Sequence, residues 1–363
     1  MQRRRFLASA AFGAMTSAVA APAIAESAPE LRWRLATGFP AALDIIQATA
    51  ASFARNVAEA TDGRFRIELQ SQPEGFDPTR TVDDIGAGRI DAVLTASSYA
   101  VDKDPTFALL TAAPFGLNAR QQNAWLYEVG GLDLANTFYA KHGLYALPGG
   151  NTGAQMGGWF RREVKTVADL AGLRMRLDGL GAAVMQKLGA LPQRIPAGDI
   201  AAAFERGALD AAEWVGPYDD EKLGLARAAP FYYYPGWWEG GAALSFLFNK
   251  EKWAGLPKAY RAAVTTAAAH ANLTMTAKYD ARNPGALRRL AGTGTQFRLF
   301  SQDIMEAGYR ASTELFEEIS AKNPDFRTIW DSIRAFRGEE YLWFQFAEYP
   351  FDNFMIRARA KGG

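Results

Sequence analysis

The sequence lacks cysteine entirely and contains only two histidines, His142 and His270. The absence of cysteine excludes disulfides, thiolate metal sites and cysteine nucleophiles. Lys and Arg number 40 against 39 Asp and Glu, so no global positive field indicates a nucleic-acid partner. The chain also lacks a P-loop lysine motif and a G-x-S-x-G elbow. Its 363 residues, 49% hydrophobic and 22% charged, instead indicate an ordered globular protein of about two domains.

Residues 1–25 resemble an export signal. Arg3–Arg5 form a basic segment, Phe6 and Leu7 open an apolar stretch of small residues, and Ala23–Ala25 match an A-x-A cleavage site. The R-R-x-F-L run resembles the twin-arginine signal. A retained membrane anchor is disfavoured because the apolar run is shorter than the roughly 20 residues of a span. Cleavage removes three arginines and no acid, so the net charge changes from +1 to −2, and we predict a periplasmic or secreted protein.

Short apolar runs alternate with helical patterns, which favours an α/β fold. Residues 31–36 and 65–70 alternate like strands, and residues 43–60 between them have helical periodicity. A unit of helix, glycine, Asp-Ala and apolar strand occurs at residues 89–93 and again at 208–212. This repetition predicts two α/β domains of like construction. Between them, residues 147–158 contain five glycines, a density typical of a hinge or an exposed loop.

Two capping-box patterns predict helix starts at Thr81–Asp84 and Thr166–Asp169. The second precedes a predicted strand at residues 173–177, a glycine loop and a helix at residues 182–188. This arrangement is similar to a dinucleotide site, but its G-x-G-x-x spacing ends at Val184 rather than at a glycine or alanine. Nucleotide binding is therefore disfavoured.

The C-terminal part, residues 324–360, is rich in aromatic residues. Phe326, Trp330 and Ile333 recur at helical spacing and are followed by Tyr341 and a further aromatic run. Such a segment is typical both of a helix that covers the core and of a protomer interface. The sequence leaves both interpretations open.

Three charged positions stand out as candidates for chemistry. Glu213 interrupts an apolar strand, and Glu239 directly follows a tryptophan in FYYYPGWWE; a carboxylate in apolar surroundings requires a cation or a donor. Arg176 lies at the carboxyl end of a predicted strand, where α/β sheets bind ligands, and a guanidinium is a bidentate partner for a small carboxylate. Arg174 lies on the same strand face, so pattern alone does not choose between the two arginines.

Four segments carry a family resemblance: residues 36–44, 172–181, 207–220 and 232–241, which include AAEWVGPY and PGWWE. They are similar to the periplasmic solute-binding subunits of TRAP (tripartite ATP-independent periplasmic) transporters, in the branch that binds 2-oxo acids and lactate with a metal ion. The resemblance covers essentially the whole mature chain. It implies an α/β, two-domain periplasmic binding-protein fold with a ligand cleft and long C-terminal helices.

The resemblance also implies domain boundaries. Residues 26–150 and about 240–285 form the first α/β domain, and residues 151–239 and about 286–323 form the second. Residues 324–363 form a C-terminal helical segment, through which members of this branch commonly dimerise. We therefore expect a homodimer that delivers its ligand to the membrane permease subunits.

The binding residues implied by the resemblance are assigned by motif position. Arg176, not Arg174, matches the arginine that clamps the substrate carboxylate. The cation ligands match Gln155, Glu213, Trp214 (through its backbone carbonyl) and Glu239. The further substrate contacts match Tyr99 and Asn151, and the tryptophans that wall off the ligand match Trp214 and Trp238.

The implied ligands are all oxygen donors, which indicates a hard cation such as Ca²⁺, Na⁺ or Mg²⁺. Mg²⁺ usually keeps several waters and is disfavoured in a protein cage. Glu213, Glu239 and a substrate carboxylate carry three negative charges and Arg176 one positive charge, so Ca²⁺ brings the sum to zero and Na⁺ leaves one negative charge buried. We predict Ca²⁺, with Na⁺ as the alternative.

The sequence therefore predicts capture of a small 2-oxo or 2-hydroxy monocarboxylate, such as pyruvate or lactate, without catalysis. Two alternatives remain open. Glu213 and Glu239 beside tryptophans also resemble the paired carboxylates of a secreted glycoside hydrolase. The second alternative is a TRAP binding protein for a sugar acid or a dicarboxylate.

Overall fold

The structure, a computed structural model, describes residues 29–360, and the predicted signal peptide lies outside them. The strands are β1 Leu31–Thr37, β2 Phe65–Ser71, β3 Ala92–Ala96, β4 Leu144–Asn151, β5 Gly158–Phe160, β6 Arg174–Arg176, β7 Leu191–Gln193, β8 Ala211–Ala212, β9 Phe231–Tyr234, β10 Ala243–Asn249 and β11 Gln296–Leu299.

The helices are α1 Asp44–Glu59, α2 Thr81–Gly86, α3 Pro105–Leu109, α4 Ala119–Glu128, α5 Gly131–Lys141, α6 Gly179–Lys187, α7 Ile200–Glu205, α8 Pro217–Lys222, α9 Leu225–Ala228, α10 Lys250–Ala254, α11 Lys258–Gly292, α12 Gln302–Lys322, α13 Pro324–Ala347 and α14 Tyr349–Ala360. None of the helices within residues 29–360 has both the length and the apolar character needed to cross a bilayer.

The first sheet has the strand order β2-β1-β3-β10-β4. Strands β1, β2 and β3 are parallel, and β10 runs antiparallel to β3 and β4. The predicted apolar face of α1, which includes Phe53, is buried against this sheet. The Phe53 ring stacks on Phe246 of β10 at 3.9 Å between centroids. The alternation read at residues 31–36 and 65–70 thus identifies two neighbouring parallel strands.

The second sheet has the order β11-β9-β5-β8-β6-β7. Strands β6, β7 and β8 are parallel, whereas β5 runs antiparallel to β8 and β9. The two sheets confirm the α/β fold class. The predicted residue boundaries of the two domains stay a prediction, which the separate strand sets of the sheets support.

The repeated sequence unit has the same construction in both sheets. Its glycine, Gly88 or Gly207, has a positive φ of 72° or 71°, which glycine adopts without a steric penalty. Asp91 then accepts a hydrogen bond from the backbone nitrogen of Arg34 at 2.8 Å. Asp210 accepts the equivalent bond from Arg174 at 3.1 Å. In each sheet, therefore, the aspartate ties the start of its strand to an arginine on a neighbouring strand.

Two predicted helix starts differ from the structure. Thr81 does not cap α2, because a 3₁₀ turn precedes it and the Asp77 side chain accepts from Thr79 N at 2.9 Å. Helix α6 begins three residues before the predicted Ala182, because Asp178 accepts from Gly179 N at 2.7 Å. The capping box of Thr166 and Asp169 is confirmed, although the helix that it starts is 3₁₀.

Within the described residues the chain passes between the sheets three times: through two short crossing segments, residues 152–157 and 235–242, and through the long connection from β10 to β11 that contains α11. The hydroxyl of Thr152 accepts a hydrogen bond from Gln155 Nε2 at 2.8 Å and from Ala242 N at 2.9 Å. Gly236 N donates to the Gln155 carbonyl at 3.1 Å. The glycine-rich stretch is therefore a connection between the sheets, and it is hydrogen-bonded to the second crossing segment.

The aromatic C-terminal part divides into a buried and an exposed half. Trp330 of α13 packs on Phe316 of α12 at 4.4 Å, and Phe326 and Ile333 are buried with it. Beyond residue 340 the large apolar side chains are exposed, Phe346 by 73% and Ile356 by 70%. The first half covers the core, and the second half leaves an apolar surface on α13 and α14.

Candidate functional site

A cavity of about 200 Å³ opens between the two sheets. Most of its lining residues lie at or after the carboxyl ends of parallel strands of the two sheets. This edge of a sheet is where α/β proteins bind ligands. The lining residues of the first sheet's side are Gly38, Phe39, Pro40, Asp77, Pro78, Thr79, Thr95 and Tyr99. Those of the second sheet's side are Arg176, Asp178, Arg194, Ile195, Pro196, Ala197 and Trp214.

Arg176 ends β6 and reaches this cavity with a buried side chain, 5% exposed. Its Nη1 donates to the Glu213 carbonyl at 2.8 Å and its Nε to the Ile195 carbonyl at 3.2 Å. The guanidinium lies 4.7 Å from the centroid of the Trp214 ring. Two backbone carbonyls and the face of an indole ring thus hold the positively charged guanidinium of Arg176 in the cavity wall.

Arg174 does not reach the cavity. Its guanidinium forms an ion pair with Asp210 at 2.7 Å and donates to the Gly207 carbonyl at 2.7 Å. The side chain is 42% exposed. The structure therefore separates the two arginines that the sequence pattern left equivalent, and it places Arg176 in the cavity.

Two glutamates lie beside Arg176. Glu213 is 3% exposed, and its Oε2 is 3.5 Å from Arg176 Nη1. Burial raises the pKa of Glu213 well above its ordinary value; Glu239 raises this pKa further, and Arg176 lowers it. Burial also raises the pKa of Glu239 to about 7, against the opposing effect of Arg176. Each carboxylate is ionised at a cost that a nearby cation reduces.

Two buried side-chain oxygen atoms of the predicted cation ligands accept no hydrogen bond. Gln155 Nε2 bonds to Thr152, and the Gln155 side chain also hydrogen-bonds Glu239. Gln155 Oε1 and Glu213 Oε1 are both buried without a hydrogen-bond partner. Because an unsatisfied buried acceptor costs free energy, these oxygens fit a bound hard cation.

The predicted cation ligands form a mixed oxygen set: an amide, two carboxylates and a backbone carbonyl. No cluster of three or more His, Cys, Asp or Glu side chains suited to a metal occurs within residues 29–360. Hard cations such as Ca²⁺ accept amide and backbone carbonyl oxygens beside carboxylates. The residues present at this site therefore fit Ca²⁺ or Na⁺ better than a transition metal.

The other predicted contacts divide between the cavity and the protein interior. Tyr99 and Trp214 line the cavity, and burial raises the pKa of the Tyr99 hydroxyl. Trp238 does not line it; its ring packs on Phe300 in the core of the second sheet. Asn151 does not line it either; its amide nitrogen donates to Gln122 Oε1 at 2.6 Å and its Oδ1 accepts from Gly153 N at 2.9 Å. Gln155, Glu213 and Glu239 are likewise outside the cavity lining, so the role of each of these residues stays a prediction.

Asp178 and Arg194 line the cavity but were not predicted as site residues. Asp178 follows Arg176 by two positions, in the glycine loop whose pattern resembles a dinucleotide site. Arg194 follows β7, a three-residue strand that contains Pro192. Proline argues against a central strand, so the sequence pattern did not predict that a strand carries Arg194 to the site; β7 lies at the sheet edge.

A family profile described as "Bacterial extracellular solute-binding protein, family 7" (DctP) matches residues 37–323. The chain belongs to this family. The chain is also 44% identical to a Nostoc protein named "Monocarboxylate 2-oxoacid-binding periplasmic protein". The aligned region covers 98% of this chain and 99% of the Nostoc protein. This family 7 protein is therefore an extracytoplasmic solute-binding protein of a TRAP transporter and not an enzyme, which excludes the glycoside hydrolase.

Solved structures confirm the fold of this family 7 protein. A TRAP solute-binding protein from Bordetella bronchiseptica superposes with a TM-score of 0.90 and is 42% identical in sequence. The match covers 92% of this chain and 100% of the Bordetella chain. It is a mixed-occupancy dimer with copurified calcium and picolinate. A Pseudoalteromonas atlantica protein with bound sodium and pyruvate has a TM-score of 0.86, 35% identity and coverages of 89% and 99%. Solved relatives thus contain calcium or sodium.

Proposed function

We propose that this protein captures a small 2-oxo or 2-hydroxy monocarboxylate, such as pyruvate or lactate, together with Ca²⁺. The observation that carries the proposal is the buried Arg176 beside two carboxylates and the donorless oxygens of Gln155 and Glu213. This arrangement offers a cation for the ligand carboxylate and oxygens for a metal. The name of the Nostoc relative and the ligands of the solved relatives support it.

Arg176 would bind the ligand carboxylate, since its Nε and Nη1 bonds fix the plane of the guanidinium. Trp214 and Tyr99 would enclose the rest of the ligand within the cavity. Trp238 packs on Phe300, but its indole nitrogen is buried without a hydrogen-bond partner, and its predicted place in the wall around the ligand stays part of the proposal. Asn151 stays a proposed ligand contact, with its amide held by hydrogen bonds to Gln122 and Gly153.

Gln155, Glu213, the Trp214 carbonyl and Glu239 would hold the cation. When bound, the cation supplies positive charge to the two glutamates and to the oxygens of the ligand. The charge balance favours Ca²⁺ over Na⁺, since the ligand and the two glutamates carry three negative charges and Arg176 one positive. Of the other acids in the cavity lining, Asp178 pairs with Arg194 at 3.1 Å, and the charge of Asp77 adds to the preference for a divalent cation.

Delivery to the permease would follow closure of the cleft around the crossing segments. The exposed apolar side chains of α13 and α14 support a homodimer through the C-terminal helices, and the Bordetella relative is a dimer. The basic segment and the A-x-A site of residues 1–25 support export to the periplasm by the twin-arginine pathway.

Thermal unfolding of the mature protein with pyruvate, before and after chelation, tests this function. A ligand at 100 times its dissociation constant stabilises the folded state by about 2.7 kcal/mol. We expect a pyruvate-dependent shift that disappears on chelation and returns with Ca²⁺. A shift that does not respond to the chelator would contradict the calcium assignment. No shift with pyruvate or lactate would contradict the ligand class and lead next to sugar acids.

A further inference from the structure

The cavity contains a second guanidinium, that of Arg194. Arg194 follows β7 and lines the same cavity as Arg176. A second arginine in a small binding cavity could serve as the counter-ion of a second carboxylate on the ligand. Whether it does so depends on which groups already bind it.

Arg194 is bound by acids from both sides of the cleft. Its Nη1 and Nη2 both donate to Asp102, with Nη2 at 3.0 Å from Oδ1. Asp102 lies in the turn that follows β3, on the first sheet's side. Its Nε lies 3.1 Å from Asp178 Oδ1, on the second sheet's side. The hydrogen bond from Arg194 lowers the pKa of Asp102, so this acid is ionised at neutral pH.

The wall around Arg194 therefore has a net negative charge. Asp102 and Asp178 together exceed the single positive charge of Arg194, and the cavity lining contains one carboxylate besides Asp178, that of Asp77. Arg176 lies against Glu213 and is the cation assigned to the first ligand carboxylate. A second carboxylate would meet no unpaired cation in the cavity lining, and juxtaposed like charges disfavour binding.

We propose that the cluster of Asp102, Arg194 and Asp178 determines specificity: the two acids occupy the guanidinium of Arg194 and outweigh its charge, so the cavity rejects 2-oxo acids that carry a second carboxylate. The inference rests on the proposed function, because it assumes that Arg176 and the cation bind the first carboxylate. It assigns the preference for monocarboxylates to three named side chains.

The test compares 2-oxoglutarate with 2-oxohexanoate, whose tail is of similar length but uncharged. Affinities are measured by calorimetry with Ca²⁺ at constant ionic strength, and the discrimination is the ratio of the two dissociation constants. We expect Asp102→Asn to reduce this ratio by about tenfold, the equivalent of about 1.4 kcal/mol. Asp102 is 79% exposed, so the substitution leaves the core intact.

Arg194→Gln leaves Asp102 and Asp178 without their cation and is expected to raise the same ratio. A purely structural role of the ion pair would change the ratio in the same direction in both variants. Asp84→Asn is the matched control, because Asp84 also pairs with an arginine, Arg89 at 2.7 Å, but does not line this cavity. Its ratio should equal that of the wild type.

Equal ratios in the wild type, Asp102→Asn and Arg194→Gln, with normal pyruvate binding, would overturn this inference alone. Wild-type protein that binds 2-oxoglutarate as tightly as 2-oxohexanoate would overturn it as well. Failure of the wild type to bind pyruvate, 2-oxohexanoate or 2-oxoglutarate would instead overturn the proposed function, and with it this inference.

Discussion

Replacing Glu239 by glutamine should have opposite effects on the metal-free and the calcium-loaded protein. Glu239 is partly buried beside Glu213, and burial raises its pKa from 4.5 to about 7. In the metal-free protein its ionised form is therefore destabilising. In the calcium-loaded protein the same charge would be a ligand of the cation.

The magnitude follows from the pKa shift. Each pKa unit corresponds to about 1.4 kcal/mol, so ionised Glu239 reduces the free energy of unfolding by about 3 kcal/mol at pH 8. An acid with a raised pKa costs nothing below its unfolded-state pKa of 4.5, and the cost grows as the pH rises toward 7. The stability advantage of Glu239→Gln should thus be absent near pH 4.5 and complete at pH 8.

Urea denaturation with a chelator at pH 4.5, 6, 7 and 8 measures this advantage. Repeating the series with Ca²⁺ and pyruvate should show that Glu239→Gln has lost the ligand-dependent stabilisation of the wild type. Glu68→Gln is the control, because the Glu68 side chain is 61% exposed and a surface change of this kind alters stability by at most about 0.5 kcal/mol. If chelated Glu239→Gln is no more stable than the wild type at pH 8, the inferred desolvation of Glu239 is wrong.

Two further predictions follow. Arg176→Met should abolish the pyruvate-dependent thermal shift, while the far-UV circular dichroism stays native. The matched variant, Arg174→Met on the same strand, should retain the shift, because Arg174 binds Asp210 outside the cavity. Equal loss of the shift in both variants would contradict the assignment of Arg176 to the ligand. Phe346→Glu should convert a dimer into a monomer in analytical ultracentrifugation, because this apolar side chain is 73% exposed on α13. The control Glu74→Gln, exposed in the loop after β2, should leave the mass unchanged. A dimer mass for Phe346→Glu would exclude the apolar surface of α13 and α14 as the dimer interface.

Local pattern was sufficient where one element determines the answer. The apolar face of α1, the β1 and β2 alternation and the capping box at Thr166 depend on residues close in sequence, and the structure contains all three. The cap of α2 differed because a competing acceptor, Asp77, starts a 3₁₀ turn just upstream of Thr81. Neighbouring polar side chains that compete for the same cap differ little in free energy, and the sequence pattern does not show which of them forms the cap.

The site itself depended on contacts distant in sequence. Period two placed Arg174 and Arg176 on one face, and only the pairing of Arg174 with Asp210, 36 residues away, separates them. Arg194 was missed for the same reason, since its partner Asp102 is 92 residues away. Motif similarity located the charged cluster, but it did not show that the Asn151 amide was already hydrogen-bonded.

The Thr152 hydroxyl has a consequence for ligand release. It binds both the side chain of Gln155 and the backbone of the opposite crossing segment at Ala242. An opening of the cleft that separates these segments would strain both hydrogen bonds and so disturb the position of the Gln155 amide. In the proposed site Gln155 is one of the residues that would hold the cation. Release of the cation and of the organic acid would then be coupled to the same opening of the cleft.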